Sequence, residues 1–174
     1  NTNILYMGES GLAMGNRDYY LDAENEAIKE GYRQFLVKVF TLTGVENPEQ
    51  AAANALSVEE KLASFSWTSV ENRDYTKLYN PMSTAQIAGT FVGFDFNTYF
   101  EAMGIPAQDL VIVEQPSFFQ GFSDLFSSTD IDVLKDYVAG QLIHGGCSAL
   151  SDDYYAASFD FFSRQMSGVT EQKP

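Results

Sequence analysis

Apolar residues recur at helical spacing along most of the chain. The clearest stretch ends at Gly44, and either Asp22 or Asn25 can cap its start. The intervals between its apolar residues are 4, 3, 4 and 3 positions, which places them on one face of a helix. Gly31 interrupts this helix at a cost of about 1 kcal/mol relative to alanine, so we expect a close neighbour there. The predicted buried face comprises Ile28, Tyr32, Phe35, Val39 and Leu42.

A second helix is predicted from Asn47 to Phe65. Asn47 is a favourable cap, Pro48 suits the first helical position, and Gln50 is placed to complete a capping box. The apolar residues again follow the helical period. Its predicted buried residues are Ala51, Ala55, Val58, Leu62 and Phe65.

The second half of the chain predicts shorter helices. Ser83 opens one, and Asp95 caps another that stops at Gly104. Pro116 begins a helix that contains two adjacent phenylalanines, and Thr129 is predicted to cap the next one. Ser151 opens a last helix that ends near Gly168. The predicted apolar faces are Phe118, Phe119, Phe122 and Leu125 in the Pro116 helix, and Ile131, Leu134, Val138 and Leu142 in the following one.

Strand signals are few. Residues 110–113 form a β-branched run that is halted by Pro116, and residues 3–7 form a short apolar run before Gly8. Residues 66–82 look irregular. The sequence therefore predicts a mainly α fold, a multi-helix assembly with two or three short strands. We expect residues 1–174 to form a single, mostly helical domain.

Composition and charge exclude several classes of protein. The chain is 45% hydrophobic and includes 14 Phe and 10 Tyr, which predicts a core rich in aromatic rings rather than disorder. The formal net charge of −14 repels nucleic-acid backbones and anionic lipid, so neither is an expected partner. No apolar run is long enough for direct membrane insertion. The single Cys147 cannot form an intrachain disulfide.

Residues with catalytic chemistry are scarce. His144 is the only histidine, so a His-Glu-x-x-His zinc motif cannot occur in this chain. His144 and Cys147 stand three apart, but two ligands make an incomplete metal site. The acidic pairs Asp130/Asp132 and Asp152/Asp153 lie in predicted first helical turns, where they compensate the helix dipole. On its own residues the chain supplies neither catalytic groups nor a metal site.

One short segment offers ligand-binding side chains. GLAMGNRDYYL, residues 11–21, runs from a glycine-rich turn into Arg17, Asp18, Tyr19 and Tyr20. The four-residue word Asn-Arg-Asp-Tyr, a sequence that occupies residues 16–19 of this segment, occurs again at residues 72–75. No longer repeat supports the recurrence, so we interpret it as coincidence.

Several segments, taken in order, resemble one family. They resemble the neprilysin and endothelin-converting-enzyme family of zinc metallopeptidases, including its bacterial endopeptidase O-like members. The resemblance covers nearly the whole chain, and SGVTEQKP is its most specific part. The segments are GLAMGNRDYYL (11–21), EEKLASFSW (59–67), VENRDYTKLYNPMS (70–83), FDFNTYFEAMGI (94–105), DLVIVEQPSFF (109–119), LSDDYYAASFDFF (150–162) and SGVTEQKP (167–174).

The resemblance implies a large zinc endopeptidase with two mainly helical lobes around a closed cavity. This chain would be its N-terminal part, which contributes to the non-catalytic lobe that caps the cleft and limits substrate size. Zinc would belong to the parent protein, whose zinc motif and general base lie beyond residue 174. The expected partners are the C-terminal catalytic region of the same polypeptide and peptide substrates. The resemblance also favours an extracytoplasmic location, whether periplasmic, secreted or surface-anchored.

Arg17 is the one site residue that the resemblance carries over. In the family, the arginine of the Arg-Asp-Tyr-Tyr segment lies by the substrate cleft, where it helps to hold the C-terminal side of the peptide. The alternative is that Arg17 pairs with a nearby acid and fixes the start of the helix. This chain has Met14-Gly15-Asn16 where relatives commonly have Leu-Pro, and a glycine there loosens the turn. Arg73, in the second copy of the word, is expected to be structural.

A rival interpretation is a stand-alone helical module that binds proteins or peptides and has no catalytic half. The coding sequence downstream of Pro174 discriminates the two, because a peptidase requires His-Glu-x-x-His followed by a distant glutamate.

Overall fold

The computed structural model describes residues 3–171 and confirms a mainly α fold with a small sheet. Short 3-10 turns at Ala23–Asn25 and Glu71–Arg73 and a π-helical segment at Phe159–Gln165 complete the described secondary structure. The elements in chain order are β1 (Leu5–Met7), α1 (Asp18–Leu21), α2 (Glu26–Thr43), α3 (Pro48–Phe65), α4 (Tyr75–Leu78), β2 (Pro81–Met82), α5 (Thr84–Thr90), α6 (Phe96–Ala102), β3 (Val111–Val113), α7 (Pro116–Ser128), α8 (Ile131–Gly146) and α9 (Asp152–Ser158).

The described residues form two compact units, each built from two separate stretches of chain. The first unit contains residues 3–10 and Phe65–Thr129, and the second contains Gly11–Ser64 and residues 130–171.

The first unit contains the sheet, with β3 between the other two strands. β1 pairs with β3 in parallel, with Leu5 opposite Val111, and β2 pairs antiparallel to it, with Pro81 opposite Ile112. All three residues of β3 are buried, as its β-branched run predicted. The prediction for residues 66–82 was incomplete, because this connector contains α4 and β2. A two-residue strand that begins with proline carries no alternation pattern.

The remainder of the first unit packs around phenylalanine rings. The ring of Phe94 lies 4.9 Å from Phe96, 5.0 Å from Phe122 and 4.8 Å from Phe126, measured between centroids. Phe118 and Phe119 of α7 are buried, as expected for core residues, and α7 begins at Pro116 as predicted.

Helix starts in the first unit follow the predicted capping residues. Ser83 accepts a hydrogen bond from the Gln86 N–H (3.1 Å) while Gln86 Oε1 accepts from the Ser83 N–H (2.8 Å), which is a complete capping box. Asp95 caps α6 as predicted.

In the second unit, the capping box predicted for α3 does not form. Gln50 donates forward to Asn54 Oδ1 instead of reaching back to the start of its helix.

The second unit has a core formed largely by α2 and α3. α2 begins after Asn25 and ends at Gly44, as predicted, and Gly44 adopts a left-handed φ of 80°. Of its predicted face, Tyr32, Phe35 and Val39 are buried, whereas Leu42 points outward. The close neighbour expected at Gly31 is confirmed. A Cβ there would lie 3.1 Å from the ring of Phe161.

The start and the face of α8 were predicted wrongly. Thr129 ends α7, and Asp130 caps α8 by accepting from the Asp132 N–H at 2.8 Å. Of the predicted face, Leu134 is buried, but Ile131, Val138 and Leu142 are 60%, 49% and 71% exposed.

The helix α8 instead packs through Gly140. A Cβ at this position would touch Leu36, Phe40 and Ala55 at 3.4–3.7 Å, so this face of α8 lies close against the core with little room for larger residues. The last helix, α9, starts after Ser151 as predicted, with Asp152 and Asp153 in its first turn, and continues into the π-helical segment. Residues 172–174 of the SGVTEQKP segment lie outside the described residues.

Candidate functional site

Arg17 stands immediately before α1 and is half-buried, in the second unit. The turn that leads to it is closed by a hydrogen bond from the Gly15 N–H to the Leu12 carbonyl (2.9 Å). Gly15 has a φ of 77°, which an L side chain rarely adopts. The glycine that departs from the family pattern therefore suits the backbone of this turn.

The loop around Arg17 is tied at both ends. The Met14 N–H donates to the hydroxyl of Tyr20 at 3.0 Å, and the Tyr20 N–H donates to the Arg17 carbonyl at 3.0 Å. Met14 and Tyr20 are both buried. Inside the loop, the Asp18 N–H donates to Asn16 Oδ1 at 3.0 Å. These hydrogen bonds together brace the backbone that carries Arg17.

A buried carboxylate anchors this loop to the helices of the second unit. Glu59 of α3 is fully buried and accepts four hydrogen bonds. The donors are the Ala13 N–H (3.0 Å), the side-chain amide of Gln141 (3.0 Å) and the hydroxyls of Tyr20 and Tyr32. Buried charges persist in proteins only when such donors satisfy them.

The start of the same segment has its own support. The carbonyl of Gly11 accepts from the hydroxyl of Tyr137 at 3.0 Å and lies 3.5 Å from the side-chain amide of Gln141. Gly11 adopts a φ of 94°, and a Cβ there would stand 3.3 Å from Leu62 Cδ1. Both the backbone conformation and the space therefore require glycine at this position.

The pKa values in this cluster reflect its burial. Burial raises the pKa of Glu59, and the hydrogen bonds from Tyr20 and Tyr32 offset part of that rise. Burial and then the charge of Glu59 raise the pKa of Tyr20 and of Tyr32 well above the ordinary tyrosine value. Both tyrosines therefore stay protonated and keep donating to the carboxylate.

Sequence reasoning did not find Glu59, although a signal was present. Glu59-Glu60 suggests the solvated face of a helix, which is where acidic residues usually lie. Glu59, however, stands four residues after Ala55 and three before Leu62, both of which were predicted to be buried. A carboxylate on the apolar face of a helix is unusual, and it indicates a buried polar cluster.

The other candidate residues are built into the fold. Cys147 is buried, and burial raises the pKa of its thiol. The ring centroids of His144 and Phe162 lie 4.5 Å apart, and burial lowers the pKa of His144. Within residues 3–171, no three His, Cys, Asp or Glu side chains are grouped so that they could hold a metal ion. In the second copy of the four-residue word, Asp74 caps α4 by accepting from the Thr76 N–H.

Comparison with known proteins identifies the family. The N-terminal model of peptidase family M13 matches residues 1–174. The chain belongs to peptidase family M13. It is 27% identical over 169 residues to endothelin-converting enzyme 1 of Cavia porcellus, covering 92% of this chain and 22% of the relative. It is 24% identical over 171 residues to a neutral endopeptidase of Lactobacillus helveticus, covering 97% of this chain and 26% of the relative.

The fold of this M13 chain is also that of a solved relative. A crystal structure of a Mycobacterium tuberculosis zinc metalloprotease in complex with an inhibitor superimposes with a TM-score of 0.93. The match is 24% identical and covers 98% of this chain and 27% of that one. The M13 chain thus spans about a quarter of the length of its relatives. Among its described residues, no helix combines the length and apolar character needed to cross a membrane.

Proposed function

We propose that the chain is the N-terminal, substrate-access region of a zinc-dependent metalloendopeptidase that hydrolyses peptides. The observation that carries this proposal is the match of all 174 residues to the N-terminal model of family M13. Because the chain spans about a quarter of its relatives, the catalytic groups are assigned to a C-terminal region of the same polypeptide. The non-catalytic lobe then caps the cleft and limits the size of peptides that enter.

Zinc is assigned to that C-terminal region as well. A catalytic zinc site needs three protein ligands from His, Glu, Asp or Cys, and residues 3–171 contain no group of three such side chains that could hold a metal. The sole histidine, His144, packs against phenylalanine rings instead. Cleavage of a fluorogenic peptide by the full-length parent should therefore be abolished by a chelator and restored by zinc.

Arg17 is proposed to bind the C-terminal carboxylate of short peptide substrates. A guanidinium group matches a carboxylate with two parallel hydrogen bonds and keeps its charge at any physiological pH. The half-buried position of Arg17 favours such a contact, because partial burial weakens the competition from water. The tied backbone of its loop lowers the entropy cost of binding.

The test compares free and amidated peptides in the full-length parent. Arg17→Ala should lower kcat/KM for peptides with a free C-terminal carboxylate by about ten- to a hundredfold, because a charged hydrogen bond contributes about 1.5–3 kcal/mol. Amidated versions should change little. Arg73→Ala, in the second copy of the word, is the matched control and should leave both peptides unaffected. Equal losses on free and amidated peptides would show that Arg17 only braces the start of α1.

The remaining assignments follow from the same proposal. The partners are the C-terminal catalytic region and peptide substrates. The formal net charge of −14 speaks against nucleic acid as a partner. An extracytoplasmic location is proposed from the family resemblance, and fractionation of cells that express the full-length parent protein would test it.

A further inference from the structure

We propose that Glu59 is the positioning residue that holds Arg17 in place for carboxylate recognition. The proposal rests on the proposed function of Arg17 and adds a second residue to it. Glu59 does not touch the substrate. It acts through the Gly11–Leu21 segment, which it attaches to the helical core of the second unit.

The two oxygens of Glu59 divide their partners between the segment and the helices. Oε2 accepts from the Ala13 N–H and from the hydroxyl of Tyr20, which are both in the segment. Oε1 accepts from the hydroxyl of Tyr32 and the side-chain amide of Gln141, which belong to α2 and α8. One carboxylate thus joins three helices to the segment that carries Arg17.

The position of Arg17 depends directly on these contacts. It lies three residues after Met14 and three before Tyr20, and the Tyr20 hydroxyl links the two by accepting from the Met14 N–H at 3.0 Å. The same hydroxyl donates to Glu59. Loss of the carboxylate would therefore remove the two bonds that attach this loop to α3, from the Ala13 N–H and the Tyr20 hydroxyl, and the guanidinium would sample more positions.

An amide cannot replace the carboxylate without losing a contact to the segment. Glutamine has one acceptor oxygen and one NH₂ donor, whereas all four partners of Glu59 act as donors. If the oxygen of the introduced amide faced Ala13, its NH₂ group would face the amide of Gln141. The Gln141 amide would have to turn round, and its nitrogen would then leave the Gly11 carbonyl, which it approaches at 3.5 Å.

The experiment uses the full-length parent and two readouts. The first is hydrogen exchange of a peptide that covers residues 13–20. Glu59→Gln should accelerate this exchange by about tenfold or more, since the Ala13 N–H and the Tyr20 hydroxyl would then donate to a neutral oxygen instead of a charged one. The second is the ratio of kcat/KM for free and amidated peptides. Glu59→Gln should lower that ratio at least severalfold, at a temperature where the variant is folded.

Two further variants make the result specific. Tyr32→Phe removes a donor from the same carboxylate, but on the oxygen that faces the helices, so it should lower the melting temperature with a much smaller change in the ratio. Adding Glu59→Gln to Arg17→Ala should lower the ratio no further, because Glu59 acts through Arg17.

Each outcome decides the proposal. An unchanged exchange rate, or an unchanged ratio in a variant whose segment exchanges faster, overturns it. Equal effects of Tyr32→Phe and Glu59→Gln on the ratio also overturn it, because they indicate general destabilisation. If Arg17→Ala itself leaves the ratio unchanged, the proposed function of Arg17 fails and this inference falls with it. The exchange measurement still reports separately whether Glu59 holds the segment.

Discussion

Gly93→Ala should destabilise the first unit, because Gly93 lies against the backbone of α7. A Cβ at this position would stand 2.8 Å from the carbonyl carbon of Ser123 and 2.9 Å from its Oγ, and nearer still to the carbonyl oxygen. Ordinary contact begins at 3.4 Å, so α7 would have to retreat by more than about 0.6 Å, the amount that the carbonyl carbon alone requires. Ser123 is fully buried, so such a movement would disturb its packed neighbours.

The expected cost of Gly93→Ala is about 2 kcal/mol, within the range for overpacked sites. For a protein of this size that corresponds to a melting temperature roughly 4–8 °C lower. Differential scanning fluorimetry measures the shift, and hydrogen exchange in Pro116–Ser128 should locate it in α7. Gly89→Ala is the matched control, because it lies in α5 and a Cβ there meets nothing within 4 Å.

Gly89→Ala should be neutral or stabilise by up to about 1 kcal/mol, since alanine is the better helix former. If the Gly93→Ala variant were as stable as the wild type while Gly89→Ala behaved as expected, the close approach of Gly93 to α7 would be refuted.

Three further predictions concern pH, capping and metal. Burial raises the pKa of Glu59 in the folded state, so its contribution to stability is full below the unfolded value of 4.5 and is lost as pH rises through the folded pKa. The stability of the wild type relative to Glu59→Gln should therefore fall as pH rises above 4.5, as measured by urea unfolding; a difference that grows with pH would contradict this. Ser83→Ala should cost about 1 kcal/mol by loss of the capping box, and an unchanged melting temperature would argue against that box. Isothermal titration of the 174-residue chain should detect no zinc binding tighter than about micromolar, and stoichiometric tight binding would contradict the finding that residues 3–171 hold no three side chains grouped to bind a metal.

The sequence predicted the helices that have large buried side chains and clear ends. The end of α2 follows from Gly44, and its core from Tyr32, Phe35 and Val39, whereas Asn25 precedes the helix without a side-chain cap hydrogen bond. Local signals were sufficient there because the glycine at the C-terminal end and the apolar periodicity agreed.

The prediction failed where tertiary packing decides. In α8, three of the four large apolar residues of the predicted face lie on the exposed side, because the helix approaches the core closely at Gly140. The apolar pattern takes account of large side chains and not of glycine, and so it predicted the wrong buried face for α8. Glu59 was missed for a related reason. The donors that satisfy its carboxylate come from residues 13, 20, 32 and 141, and no local pattern reveals that they converge.

The interleaved order of the two units has a consequence for folding. β1 cannot pair until β3 is present, and these strands are far apart in the chain, because Leu5 and its partner Val111 are separated by more than a hundred residues. Closing so long a loop costs entropy before any strand contact repays it. A nascent chain therefore exposes its first strand while Gly11–Ser64 is synthesised. Neither unit is complete until the chain has returned to it, so we expect refolding to be slow and its slowest phase to report on the sheet.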